Sequence, residues 1–110
     1  MSIATREQEV VEAVEKRLYI GGEWRDASGG ETFEVEDPST EEALCEVADA
    51  NPDDAKAALD AAVDKQAEWA QSSPNERFEI LWHAYERLNE RVDDLALLMT
   101  LEMGKTIAES

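Results

Sequence analysis

Gly104-Lys105-Thr106 are the three residues that close a phosphate-binding loop, and they are the first place in this chain to look for chemistry. Such a loop needs another glycine five positions before its second one, so that backbone N–H groups can wrap the phosphates. Met99 stands there, inside an apolar run at helical spacing, and no glycine lies between Gly30 and Gly104. The triplet therefore reads as a helix C-terminus, with Gly104 in the left-handed cap and Lys105 favourable at the negative end. His83 is the only histidine, so a multi-histidine metal site or a Ser-His-Asp triad lacks material. With Glu79 and Arg87 four residues either side, it reads as a solvated side chain on a polar helix face. Cys45, the only cysteine, has no basic neighbour in sequence to generate a thiolate, and reads as a small core residue on a strand. The adjacent pairs Asp53-Asp54 and Asp93-Asp94 point about 100° apart on a helix, which suits capping and solvation rather than paired-carboxylate catalysis. The three tryptophans, Trp24, Trp69 and Trp82, read as core or interface. No catalytic, cofactor-binding or metal-binding residue is assigned within the chain.

Composition narrows the partners. The chain has 110 residues, 43 % hydrophobic, with 27 acidic and 10 basic side chains for a net charge of −17. A polyanion repels nucleic acid and anionic membrane alike. The acid is spread over every segment rather than gathered in a tail, the pattern expected of a protein adapted to high salt, where screening relieves self-repulsion. The longest apolar run, Leu95 to Met99, is far short of the ~20 residues a membrane helix needs. The N-terminus has no apolar signal core. These features fit a cytoplasmic protein, and a single cysteine allows no intrachain disulfide.

The positioning elements follow from pattern. The first residues place Val10, Val11, Val14 and Leu18 at helical spacing, and 1–17 read as a short helix or a loosely held extension. In "LYIGGEW" the pair Gly21-Gly22 supplies the positive φ of a two-residue hairpin turn. "TFEVED" alternates as a half-exposed strand that Pro38 ends, and "ALCEVA" gives a further strand with Leu44 and Val47 its clearest apolar members. From Asn51 the pattern is helical: Asn51 caps and Pro52 opens one helix, with Ala55, Ala58, Leu59, Ala62 and Val63 as its apolar stripe. Ser73, Pro74 and Glu76 restart a second with a capping box. Its stripe runs Phe78, Leu81, Trp82, Tyr85, Leu88, Val92, Leu95, Ala96 and Met99, with a break expected in the polar patch 89–94. The fold class is α+β, with strands in 18–48 and helices in 51–104.

The order of these motifs resembles the N-terminal part of an NAD(P)-dependent aldehyde dehydrogenase. "LYIGGEW", "TFEVEDPST", the capped helix ending near Trp69, Glu76-Arg77 and "LEMGK" follow one another across residues 18–110, leaving 1–17 as an N-terminal extension. "TLEMGK" leans toward succinate-semialdehyde dehydrogenases. Departures fall in turns and caps: the family often has Asn at Asp37, Asn-Gly at Gly21-Gly22 and Pro at Thr106. The resemblance implies a larger α/β enzyme whose cofactor-binding domain begins with this segment. It implies an aldehyde as substrate, NAD or NADP in the full-length enzyme, and a homo-oligomer. The cysteine nucleophile, the glutamate base and the oxyanion asparagine are expected beyond Ser110. Cys45 does not sit in the family's nucleophile motif. The segment alone is expected to bind no cofactor and to be inactive, and its Trp82-bearing and alanine-rich faces to need partners. The alternative is a stand-alone acidic helical module that docks a partner protein.

Overall fold

A computed structural model describes residues 3–110; Met1 and Ser2, the start of the expected extension, lie outside them. The element order is α1 (Ile3–Ala13), β1 (Leu18–Ile20), β2 (Glu23–Arg25), β3 (Thr32–Asp37), β4 (Glu42–Ala48), α2 (Pro52–Gln71), α3 (Pro74–Glu90) and α4 (Val92–Met103), then a single 3₁₀ turn at Ile107–Glu109. The α+β class read from the sequence is the class observed.

The strands form two separate antiparallel hairpins, β1–β2 and β3–β4. At the first, Gly21 (φ 63°) and Gly22 (φ 85°) carry the chain through the turn, and Tyr19 pairs across to Trp24 with ring centroids 4.7 Å apart. In the second, the register runs Phe33 to Val47 and Val35 to Cys45, then slips so that Glu36 faces Ala43. Strand side chains alternate faces, so Leu44 and Val47 cannot both point inward from a regular strand. The one-residue slip resolves this, because a bulge re-aims the side chains beyond it. Leu44, Cys45 and Val47 all line one small apolar cleft with Val11 and Leu98.

The core is small and lies where α1 crosses α4. Val10, Leu97 and Leu101 are buried there, with Val11, Leu44 and Leu98 packed around them. Of the two readings of residues 1–17, the helix is the one found, and it is held. The Lys16 ammonium donates to the Val11 and Val14 carbonyls at 2.6 Å each, closing the end of α1. The Ala48 N–H donates to the Lys16 carbonyl, which ties that end to β4.

Helices α2 and α3 start as their sequences direct. Asn51 and Asp54 form one reciprocal capping box, and Ser73 and Glu76 another, each with proline at the first helical position. The long apolar stripe breaks at Arg91, inside the expected patch, where φ of −115° separates α3 from α4. Yet α3, seventeen residues long, buries none of them. The radius of gyration is 17.2 Å, where a compact chain of this length would have roughly 13–14 Å.

Candidate functional site

The residues with chemical potential are scattered. His83 is exposed on α3, its Nδ1 3.5 Å from the Glu86 carboxylate. Cys45 is half-buried on β4, in a cleft of about 90 Å³ whose lining, among the described residues, includes one cation, Lys16. Asp53 is exposed while its neighbour Asp54 is buried, so the first acid pair is split between solvent and structure. Asp93 and Asp94 are exposed in the first turn of α4, and Arg6 of α1 approaches Asp94 at 3.8 Å. Among the described residues, no three His, Cys, Asp or Glu side chains converge as a metal cage would require.

Two polar junctions do organise the chain, and both exceed what local sequence reading assigned. Asp54 is 3 % exposed, and its carboxylate accepts the Asn51 N–H at 3.1 Å and the Ser28 N–H at 3.1 and 3.2 Å. The Asn51 amide donates to the Ser28 hydroxyl at 2.7 Å. The helix cap therefore also clasps the loop between the hairpins. The Asn51 N–H bond, joined by those from Ser28 and by the charge of Arg25, holds the Asp54 carboxyl below the usual carboxylate range against its desolvation. The Asn-x-x-Asp spacing signalled the cap, but nothing local in sequence could signal Ser28, twenty-six residues earlier.

The second junction joins "DPST" to "LEMGK". The buried Asp37 carboxylate accepts the Ser39 N–H at 2.8 Å, and its carbonyl takes the Thr40 and Glu41 N–H groups. An Asn side chain would offer the same acceptor oxygen, which explains why Asp is accommodated here. Gly104, at φ 79°, ends α4 against this turn; a β-carbon on it would stand 3.3 Å from Pro38 Cγ. Its N–H donates to the Thr100 carbonyl, so the Gly-Lys-Thr triplet sits at the negative end of α4. A phosphate would meet carbonyl oxygens there, not the N–H cradle that a dinucleotide needs. The triplet does not fit the phosphates of a nicotinamide cofactor.

What remains is a surface. Phe78, Trp82 and Tyr85 form a continuous aromatic ladder along α3, with centroids 5.9 and 5.2 Å apart, and Trp82 is 47 % exposed. Leu59, Val63 and Trp69 stand equally open on α2. The total accessible surface is 8552 Å², against roughly 6,100 Å² for a folded monomer of this mass.

Comparison with known proteins decides the family. The family model described as "Aldehyde dehydrogenase family" matches residues 24–110. The chain belongs to the aldehyde dehydrogenase family. Among solved structures, this aldehyde dehydrogenase chain is similar to betaine aldehyde dehydrogenase from Staphylococcus aureus in complex with NAD+, at 28 % identity and TM-score 0.90 over 97 % of this chain and 22 % of that one. It is similar to succinate-semialdehyde dehydrogenase from Burkholderia pseudomallei at 38 % identity and TM-score 0.84, over 87 % of this chain and 20 % of that one. An NADP-dependent enzyme from E. coli matches at 39 % identity and TM-score 0.83, over 86 % and 20 %. The chain thus spans about a fifth of the length of these structures. A likeness over 97 % of the chain takes in α1, which the sequence resemblance had left outside.

Proposed function

We propose that this chain is the N-terminal segment of an enzyme that oxidises an aldehyde to its carboxylate with NAD(P)+ as hydride acceptor. The observation that carries the reading is the family match across residues 24–110. Succinate semialdehyde is the substrate favoured, since identity to the succinate-semialdehyde enzyme is 38 % and to the betaine aldehyde enzyme 28 %. The 39 % identity to an NADP-dependent enzyme favours NADP over NAD. The nucleophilic cysteine, the general base and the cofactor site belong to portions of the fold outside this chain. The chain's own part is scaffolding: the Asp54 clasp and the Gly104 junction fix the hairpins and helices relative to one another. A cytoplasmic, salt-adapted homo-oligomer completes the proposal, and among the described residues no helix is long and apolar enough to cross a membrane.

The test is turnover by the product of the complete reading frame. Reduction of NADP+ with succinate semialdehyde, faster than with betaine aldehyde, is expected by nicotinamide absorbance. Absence of aldehyde-dependent reduction with either cofactor would refute the enzyme. Micromolar binding of NAD+ or NADP+ by the 110-residue chain would refute the placement of the cofactor site elsewhere. The reading as a stand-alone docking module shares the open surface but has no counterpart to the family match.

A further inference from the structure

We propose that α1 is a salt-gated strap: it closes over the β3–β4 hairpin at high ionic strength and lifts off as a unit at low ionic strength. Helix α1 has eleven residues, below the ~12–15 at which an isolated helix is even marginal in water, so its helicity depends on being docked. Its apolar hold is narrow. Among its described side chains Val10 alone is buried, against Leu97 and Leu101 of α4, with Val11 half-buried beside it. At its end the Lys16 ammonium donates to the Val11 and Val14 carbonyls at 2.6 Å, and the Lys16 carbonyl accepts the Ala48 N–H at 2.9 Å. The Arg6–Asp94 pair is 3.8 Å long between side chains at least half exposed, and a pair of that kind contributes little.

Charge opposes this hold. Between α1 and the hairpin lies a crevice of about 340 Å³ whose walls carry Glu7 and Glu12 of α1, Asp37 of β3 and Glu42 of β4. Among the described residues no Lys, Arg or His lines it. Glu12 and Glu42 are exposed, so dissolved ions reach and screen them. On the α4 side the acids are Asp94, already paired with Arg6, and Glu102, which lines the apolar cleft together with Lys16. Raising salt from about 0.1 M to about 1 M shortens the Debye length from ~10 to ~3 Å, which relieves the repulsion and leaves the apolar contact intact. Val11, Val14 and Lys16 form one wall of the cleft that holds Cys45, so lifting α1 uncovers that thiol. The inference rests on contacts between elements of the chain, not on its open faces or on the enzymatic reading.

Hydrogen exchange and thiol alkylation test it, both read peptide by peptide by mass spectrometry on the product of the complete reading frame. Exchange of the α1 amides and alkylation of Cys45 by iodoacetamide are expected to slow at least about threefold from about 0.1 M to about 1 M KCl. Choline chloride should act equally, because screening is indifferent to the cation, and the α4 amides should stay protected throughout. Glu12→Gln combined with Glu42→Gln should slow both rates at low salt and flatten their salt dependence. Glu90→Gln, which removes a charge from α3, should leave that dependence unchanged. Lys16→Met, which keeps the stem and loses the donor, should speed both rates at least about tenfold at either salt. An α1 exchange rate that ignores salt, α4 amides that open together with α1, a Cys45 rate that does not follow α1, or an effect confined to KCl would each overturn the proposal. None of these outcomes bears on aldehyde turnover.

Discussion

Replacing Gly104 by alanine tests whether the junction between the end of α4 and the Pro38 turn holds the fold together. Three effects act on the substitution, and the structure separates them. Alanine narrows the unfolded ensemble, which favours folding by about 0.4–1 kcal/mol. A β-carbon at φ 79° occupies the left-handed region, which costs roughly 1–2 kcal/mol. That β-carbon also stands 3.3 Å from Pro38 Cγ and 3.6 Å from Ser39 Oγ, and overpacking of this kind costs about 1–3 kcal/mol. The net expectation for Gly104→Ala is a loss of about 2–3 kcal/mol. Gly22→Ala is the internal control: its φ is 85°, but nothing lies within 4 Å of the added carbon, so only the first two effects remain and the loss is about 1 kcal/mol. Urea unfolding followed by far-UV circular dichroism reads both, and the difference between the variants isolates the Pro38 contact. Equal losses for the two alanines would show that the junction does not bear on stability. A Gly104→Ala variant as stable as its parent would refute the cap geometry as well.

Three other outcomes follow from the geometry. The Asp54 carboxyl titrates lower in the folded chain than in the unfolded one, so its stabilisation is full above the unfolded value and is lost as pH falls through the folded value. Asp54→Asn should remove that part of the acid dependence in urea midpoints taken across the acid range, and an unchanged pH profile would refute the clasp. Glu34 lies directly opposite Glu46 on β3–β4, a like-charge pair that salt relieves. Glu46→Lys should add about 0.2–1 kcal/mol at low salt and flatten the rise of stability with KCl; a steeper rise would count against the salt-adaptation reading. Leu101, 5 % exposed where α1 crosses α4, should cost about 2–5 kcal/mol as alanine. A cost below about 1 kcal/mol would mean that α1 is not docked on α4.

What was legible in the sequence was local, and the reason is physical. Asn51, Pro52, Ser73, Pro74 and Glu76 announce helix starts because a cap is satisfied within four residues of itself. Gly21-Gly22 and Gly104 announce turns because positive φ is a property of one residue. What was not legible is whatever joins distant segments. Ser28 has no reason in its own neighbourhood to meet Asp54, and Leu44 and Val47 show incompatible parity until the slip at Val35/Glu36 is seen. The apolar pattern is incomplete in one instructive respect. Phe78, Trp82 and Tyr85 have the spacing of core residues, and the pattern records that a face is meant to be covered without recording by what. In a chain whose family members are about five times longer, that distinction separates a residue's type from its burial. The open ladder on α3 is therefore best read as information about a missing neighbour.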